Sequence, residues 1–423
     1  MPAKKTSPKK GPSSPKKGPK PEKGSPKKSA AQEKSQGGKY FSNVALDAFG
    51  RMTFHADGLH VSVLNAIRRA CLSDVPNVAL FFDPYAPESV LTMRFLKNTS
   101  ALNNEFMGRR LSLVPVCVDE EEVAKVAENP RRYKFVVDAR NTGTSVLSVT
   151  SKDIKVMDES GNTFPESVRD AMFPPDPITG DYIELVRLKP SAHATAPGEE
   201  LHVEMRASVG TASEHARYSP VSLCTYVYRL DPDIASQAKK EYLAQRAADN
   251  TNHDHDHASN HFDTIEAPKR CHARDAYGEP TSFLFSVETE CALRPAYLIA
   301  KSIAILGDKV ARLRGSTELD LARLSSDGEL FELRVAGEGH TLGNLLQAYI
   351  FNTEVRHNQK KTVAYVGYYQ PHPLETSFVM KLRFASSVSD VDEVRAFLEA
   401  KLDSLADFLA EVGADWAKAS SAL

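Results

Sequence analysis

The sequence predicts an α+β protein with two similar halves, each an antiparallel sheet with helices on one side, and a mainly β insert in the first half. Three observations predict this class. Apolar residues recur at helical spacing in several segments, and they alternate with polar residues between about 130 and 230. Two segments also match each other, namely LNAIRRA at 64–70 and GNLLQAY at 343–349.

The charge of the chain is unevenly distributed. The 423 residues carry a net charge of -2, yet residues 1–39 contain twelve lysines and two glutamates. This tail is therefore +10 and the remaining body is -12. Because residues 1–39 contain no aromatic residue, leucine, isoleucine or valine, we expect them to be disordered.

The tail repeats the motif SPKK at Ser7–Lys10, Ser14–Lys17 and Ser25–Lys28. These repeats resemble those in the tails of linker histones, which lie along the minor groove of DNA. Lysines neutralise phosphates and release counterions. The repeats therefore predict DNA contacts by Lys9, Lys10, Lys16, Lys17, Lys27 and Lys28. A solubilising or nuclear-targeting tail is the alternative.

Composition excludes several classes of protein. No run of about 18 apolar residues is present, so we expect no transmembrane helix. The lysine-rich N-terminus lacks the apolar core of a secretory signal. The five cysteines are scattered and form no CxxC pair, which argues against a disulfide framework and a cysteine-rich zinc site.

The first half begins with a strand and then a helix that carries Val61, Leu64, Ile67 and Cys71 on one face. This helix should end before Pro76, and a second helical segment should end before Pro115. The alternating runs that follow predict the antiparallel sheet of the insert. A polar loop is predicted around 248–261, and then a strand and a long helix from Arg294.

The last hundred residues repeat this layout. The segment 316–327 predicts a linker with a weak helical turn. After a strand, one helical face is formed by Leu342, Leu345, Leu346, Tyr349 and Ile350. Two further strands and a long amphipathic helix complete the second half.

The matched segments place Asn65 on Asn344 and Ile67 on Leu346. Neither half closes its own core, so we expect the halves to pack helix against helix. Gly343 costs its helix roughly 1 kcal/mol, which a close contact with a partner helix explains; a tolerated surface position is the alternative. The predicted dimerisation residues are Val61, Leu64, Asn65, Ile67, Cys71, Leu342, Gly343, Asn344, Leu345, Leu346, Tyr349 and Ile350.

Six blocks carry a family resemblance that covers about 40–420. The first half resembles the third subunit of eukaryotic RNA polymerase II, the archaeal D subunit and bacterial alpha, in LNAIRRACLSDVP, NTSALNNEFMGRRLSLVPV, HARYSPVSLCTYVYRLDP and RDAYGEPTSFLFSVETECALRP. The second half resembles the eleventh subunit and archaeal L, in EGHTLGNLLQAYIFN and VAYVGYYQPHPLETSFVMKLRF. Their joining in one chain is similar to proteins of large nucleocytoplasmic DNA viruses. This implies a viral source and an intracellular location in a viral factory, the virion or the host nucleus.

The resemblance implies a non-catalytic assembly platform without a cofactor. Its expected partners are the largest and second-largest polymerase subunits and small homologues of the tenth and twelfth subunits. Arg68, Arg69, Arg109 and Arg110 match family positions near the large subunits, which implies docking; a solvated helix face is the alternative. The family's zinc loop and iron–sulfur site are expected to be lost, because CVDEEEVAKVAENPRRY has a single cysteine.

The resemblance also implies the domain ranges. They are a disordered tail over 1–39, a third-subunit-like dimerisation domain over 40–80 and 268–315, an insert over 81–267, a linker over 316–327 and an eleventh-subunit-like dimerisation domain over 328–423.

Two other functions compete with this interpretation. The run HDHDH at 253–257, with His261, Cys271 and His272 nearby, offers ligands for a metalloenzyme. It lies in a polar segment without the apolar support that fixes catalytic ligands, so we expect adventitious or no metal binding. A chromatin-like DNA-binding protein is the second alternative, and it depends on the SPKK tail alone.

Overall fold

The computed structural model describes residues 38–85, 93–191, 197–248, 255–290, 292–315, 319–324, 329–356, 362–386, 388 and 390–421. The SPKK repeats and their lysines therefore lie outside the described residues. The strands are β1 (Phe41–Leu46), β2 (Met52–Asp57), β3 (Asn77–Leu80), β4 (Arg94–Asn98), β5 (Lys134–Arg140), β6 (Leu147–Thr150), β7 (Ile154–Met157), β8 (Glu184–Leu188), β9 (Glu200–Gly210), β10 (Val221–Tyr228), β11 (Ser282–Thr289), β12 (Leu319–Arg323), β13 (Leu330–Ala336), β14 (Val363–Tyr369) and β15 (Ser377–Phe384).

The helices predicted from the apolar spacing are present, and the structure contains further short helices and α5 in addition. They are α1 (Val61–Ser73), α2 (Asn104–Ser112), α3 (Glu120–Glu128), α4 (Glu166–Met172), α5 (Pro232–Ala248), α6 (His255–His261), α7 (Ala267–Arg270), α8 (Pro295–Leu313), α9 (His340–Ile350) and α10 (Val391–Ala419). A π-helical turn joins α6 to α7, and another follows α9. Helix α1 ends before Pro76 and α2 before Pro115, as predicted.

The first sheet has the antiparallel order β1-β2-β11-β10. Alternate residues of β2 and β11 face inwards, so that Phe54, Phe283, Phe285 and Val287 are buried beneath helices. Helix α8 packs against both β11 and α1, which places both helices on the inner side of this sheet.

The second sheet repeats the arrangement with the order β12-β13-β15-β14, and α9 packs on its inner side. One expectation is wrong here. The predicted weak helical turn in the linker is strand β12, which pairs with β13 from Leu319 to Arg323. The segment LDLAR is too short to reveal a period, so only its pairing with β13 decides its conformation.

The insert contains the predicted antiparallel strands. Its main sheet has the order β3-β9-β5-β7, with β4 also paired to β9, and β6 pairs with β8 in a smaller sheet. Two strands cross the predicted boundaries. Strand β10 belongs to the first sheet although it lies within 81–267, and β3 precedes that range yet pairs with β9.

The polar loop expected around 248–261 is partly helical, which corrects that prediction. Residues from His255 onwards form α6, and Phe262, Ala267 and Cys271 make a small separate core. Ala235, Ala238 and Tyr242 of α5 pack against this core. The apolar partners lie about 25 residues away in the sequence, so the local composition of the segment could not reveal the helices.

The helices of the two halves meet between the two sheets. Helix α8 packs against α10, and α1 packs against α9. The predicted fold class is therefore confirmed: two sheets with helices on one side are paired within one chain, and a mainly β insert is added.

Gly343 does not have the predicted contact with a partner helix. A Cβ atom at this position would lie 2.7 Å from Cδ2 of Tyr368 and 3.2 Å from Cγ of Phe378. Both side chains belong to the sheet of the same half, on β14 and β15. The missing side chain therefore lets α9 lie close to its own sheet, because ordinary carbon contacts require more space.

We expect Gly343→Leu to destabilise the protein by about 1–3 kcal/mol, because the larger side chain would overpack the contact with Tyr368 and Phe378. Gly307→Leu is the matched control, since nothing lies within 4 Å of a Cβ at Gly307 of α8. The control should be neutral or stabilising by up to about 1 kcal/mol. Urea unfolding measures both variants, and equal midpoints would contradict the packing role of Gly343.

Candidate functional site: the seam between the halves

The predicted dimerisation residues lie on α1 and α9, two helices that pack against each other. The contact of α1 with α9 and that of α8 with α10 are together called the seam. Leu64, Ile67, Leu342, Leu345, Leu346 and Ile350 are buried, whereas Val61, Asn65, Asn344 and Tyr349 are half-buried. The Tyr349 ring lies 6.2 Å from that of Phe408 on α10. Cys71 is buried too, close to Cys224 of β10 and Ser302 of α8, which belong to its own half. Cys71 and Gly343 therefore lie beside residues of their own halves.

Asp415 of α10 holds the start of the first half. Its buried carboxylate, 7% exposed, accepts hydrogen bonds from the backbone N–H groups of Tyr40 at 2.8 Å and Phe41 at 3.0 Å, and also from that of Lys39. A Cβ atom on Gly38 would collide with the same carboxylate, so a glycine is required for this approach. The contact joins residues more than 370 positions apart.

Trp416, the only tryptophan of the sequence, lies next to Asp415 and is fully buried. Its ring centroid is 5.2 Å from that of Phe41 and 4.6 Å from that of Phe54 in the first sheet. Its Nε1–H donates to the carbonyl oxygen of Ala296 in α8 at 3.0 Å. The end of α10 is therefore part of the core of the first half.

Sequence reasoning missed both residues. An aspartate in line with Val412 and Trp416 on the apolar face of the closing helix was the available signal, because a buried carboxylate needs donors.

Asp415→Ala should destabilise the protein by at least about 2 kcal/mol, because three backbone donors would lose their acceptor. Glu411→Ala is the matched control: it removes an exposed ion pair to Lys39 Nζ at 2.7 Å and a long hydrogen bond from Tyr40 Oη at 3.3 Å, and it should cost much less than Asp415→Ala because water screens an exposed pair. The fluorescence of Trp416 during denaturant unfolding reports both variants. Equal losses of stability would show that Asp415 does not hold β1.

A second polar contact lies on the seam at Lys309 of α8. Its Nζ is 2.9 Å from Asp74 at the end of α1 and 3.1 Å from Glu338, which precedes α9. Burial alone would lower the pKa of Lys309, but the hydrogen bonds and charges of Asp74 and Glu338 outweigh it and raise this pKa. Nearby, Arg69 Nε donates to Thr341 Oγ1 at 2.8 Å and so also links α1 to α9.

Lys309→Met should cost about 3 kcal/mol at pH 7, because two largely buried carboxylates would lose a partner. The folded-state pKa is raised above the ordinary 10.5, so the stabilisation is complete below pH 10.5 and disappears as the pH rises through the folded-state value. The difference in unfolding free energy between wild type and variant should therefore shrink in alkaline solution. Lys301→Met on the same helix is the control and should change stability by less than about 0.5 kcal/mol. A pH-independent difference would exclude the titration of Lys309 as its source.

Two of the four predicted docking arginines, Arg68 and Arg109, line different surfaces. Arg68 lines a groove with Tyr226, Tyr228 and Pro268, whereas Arg109 lines another cavity beyond the end of β3. Arg68 Nε donates to Asn65 Oδ1 at 3.0 Å, and Arg109 forms an exposed pair with Glu105 at 2.9 Å.

The other two arginines have internal partners. Arg110 donates to the carbonyl oxygen of Glu184 at 2.7 Å, and Arg69 is engaged with Thr341. Among the described residues, the side chains of Arg68 and Arg109 thus bond only within their own helices, whereas those of Arg69 and Arg110 bond to other elements.

The histidine-rich segment does not converge on a site in the part of the chain that the structure describes. His253 and Asp254 lie outside it, while His255 and His257 are exposed on α6. Cys271 is in the small core, and His272 stacks on Tyr228 with ring centroids 4.9 Å apart. Among the described residues, no group of three histidine, cysteine, aspartate or glutamate side chains is arranged to hold a metal ion.

No helix of the described residues combines the length and the apolar character that crossing a membrane requires.

Two family models match the chain, and both are described as the RNA polymerase Rpb3/Rpb11 dimerisation domain. One matches residues 53–310 and the other residues 331–412. The first spans more than half of the sequence, and it includes the insert, α1, β10, β11 and most of β2 and α8, whereas β1 precedes it. The second includes β13, β14, β15 and α9.

Several curated proteins are similar to this chain. Subunit RPAC1 of DNA-directed RNA polymerases I and III from Saccharomyces cerevisiae is 26% identical over 298 residues, which cover 62% of this chain and 82% of that protein. Subunit rpb3 of DNA-directed RNA polymerase II from Dictyostelium discoideum is 23% identical and covers 60% and 87%. Subunit Rpo3 of the RNA polymerase from Methanosphaera stadtmanae is 24% identical and covers 61% and 92%.

Proposed function

The chain belongs to the RNA polymerase Rpb3/Rpb11 dimerisation-domain family, and from this premise we propose that it is the assembly platform of a DNA-directed RNA polymerase. Its similarity to RPAC1, rpb3 and Rpo3 subunits supports a role as a polymerase subunit. The subunits of this kind are non-catalytic, and nucleotidyl transfer belongs to other subunits of the enzyme.

The observation that carries this proposal is the seam. The two matched regions are on one chain, and their helices pack between two sheets with Asp415, Trp416 and Lys309 fixing their relation. A pairing that the family name describes as dimerisation is therefore internal here. We propose that this pair docks the largest and second-largest subunits, together with small homologues of the tenth and twelfth subunits.

The platform role is tested by affinity purification of the full-length chain from its source, followed by mass spectrometry of the co-purifying proteins. The two largest polymerase subunits should be recovered in stoichiometric amounts, and the isolated chain should not polymerise nucleotides. Recovery without any polymerase subunit would overturn the proposal, and so would polymerisation by the isolated chain.

Docking through Arg68 and Arg109 is supported by their positions on accessible grooves and by their single local partners. Arginine at an interface forms directed hydrogen bonds with carboxylates, and loss of one partner from a desolvated pair costs about 2–5 kcal/mol. Arg69 contributes to the seam through Thr341. A substitution of Arg69 would therefore alter the pairing of the halves as well as docking, and recovery of the large subunits would not separate the two effects.

The double variant Arg68→Glu/Arg109→Glu should reduce recovery of the two largest subunits at least about tenfold, because one lost desolvated pair already exceeds 1.4 kcal/mol. Arg334→Glu is the matched control, since Arg334 is 52% exposed on the outer side of the second sheet. Co-purification gives the readout, and an unfolding curve of each isolated variant checks its folding. Normal recovery with a well-folded double variant would remove both arginines from the docking surface.

An intracellular location accompanies this role. A viral source, with a viral factory, virion or host nucleus as the compartment, stays a prediction, because the three relatives described above come from yeast, a slime mould and an archaeon. DNA binding by the SPKK tail also stays a prediction, as does its chromatin-like alternative function.

A further inference from the structure

The segment HARYSPV, at 215–221, has no role in the platform proposal, yet three of its residues line one wall of a cavity, namely His215, Arg217 and Tyr218. The cavity has a volume of about 540 Å³. Its other walls are the residues that follow β3, namely Phe81 to Tyr85, and the end of α2 with Arg109 and Leu113. Two arginines from distant parts of the sequence, Arg109 and Arg217, are thereby brought to the same concave surface.

Arg217 is a half-buried cation without an opposite charge. Its Nη1 donates to the carbonyl oxygens of Phe82 at 3.0 Å and Leu80 at 3.4 Å. Its guanidinium lies 5.4 Å from the ring of Phe81 and 5.9 Å from that of Tyr218. Among the described residues no carboxylate lies within ion-pair distance of it, and its Nε–H is buried without an acceptor. A half-buried guanidinium without a carboxylate partner favours an incoming carboxylate at those of its atoms that line the cavity.

The charges around the cavity give it a positive side. Burial lowers the pKa of His215, and the positive charges of Arg217 and Arg109 lower it further. Two acidic residues also line the cavity. Asp83 accepts the backbone N–H of Tyr85 at 2.9 Å, and Glu214 lies at the exposed rim.

The rim of the cavity is apolar and exposed. Tyr85 is 85% exposed and Leu113 is 59% exposed. Large apolar side chains beside arginines are the composition found at the centres of protein–protein interfaces. A free phosphate would satisfy the arginines but would leave these side chains uncovered.

We propose that this cavity, the HARY pocket, docks an acidic segment of a partner polypeptide. A carboxylate of the segment pairs with Arg217 and Arg109, and a neighbouring apolar side chain covers Tyr85 and Leu113. That the partner belongs to an RNA polymerase rests on the proposed function. The arginine and apolar contacts that the pocket offers do not depend on it.

Site-directed photo-crosslinking in the purified complex tests the proposal without disturbing Arg217. A benzophenone amino acid at Leu113 should crosslink to a segment of another polypeptide that contains aspartate or glutamate. The same amino acid at Leu374, which is 88% exposed in the second half, is the control and should not give that crosslink.

Three substitutions then test the charge of Arg217 and the apolar rim. Arg217→Glu and Leu113→Glu should each reduce recovery of the crosslinked partner at least about tenfold, whereas Arg217→Lys should keep more of it than Arg217→Glu. Leu113 is exposed, so Leu113→Glu keeps the test valid even where Arg217→Glu impairs folding.

The outcomes separate this inference from the platform role. A complex that contains the two largest subunits, in which Leu113 crosslinks only to this chain, to nucleic acid or to a segment without acidic residues, would overturn the HARY pocket alone. Recovery of the chain without polymerase subunits would overturn the platform role. In that case, an acidic crosslinked segment from any other protein would still support the pocket.

Discussion

Each sheet of this protein is covered by helices on one side, and those helices have a second apolar face that water would otherwise reach. The faces of α1 and α8 are covered by α9 and α10, so neither half completes its core without the other. Burial of apolar area drives this contact but does not fix its register, because the hydrophobic effect is not directional. The rest of the architecture depends on this mutual covering.

Polar groups on the seam determine the register of the helices, which apolar packing alone does not determine. Asp415 accepts three backbone N–H groups at the start of β1, and Lys309 connects the end of α1 to the turn before α9. A buried acceptor or cation is satisfied only in one arrangement of its partners, so these contacts penalise any sliding of one helix layer over the other. Trp416 restricts the packing in the same region, because its ring contacts Phe41 and Phe54 and its indole N–H donates to the carbonyl oxygen of Ala296.

Joining both halves in one chain makes their association intramolecular. A short connection keeps the partner at a high effective concentration, which favours pairing without new contacts. The insert's sheet begins at β3, directly after α1, and the segment α5–α7 lies between β10 and β11 of the first sheet. The groove at Arg68 is lined by α1, β10 and Pro268 of α7, whereas the cavity at Arg217 is lined by the residues after β3, the end of α2 and the residues before β10.

The sequence by itself determined the elements with strong periods and the family. The spacing of Leu64, Ile67 and Cys71 defined α1, and the alternation in SFVMKLRF defined β15, because a side chain's face follows directly from helical or strand geometry. The matched Asn65 and Asn344 segments also indicated two similar halves.

Tertiary structure decided everything that needs a distant partner. Strand β12 exists because β13 lies beside it, and the helices after Ala248 exist because Phe262 packs against α5. Gly343 looked like a helix–helix contact but faces Tyr368 and Phe378, since a missing Cβ does not reveal which neighbour occupies the space. Asp415 and Arg217 carry no local pattern at all, because their partners are backbone groups and rings that only the fold brings within reach.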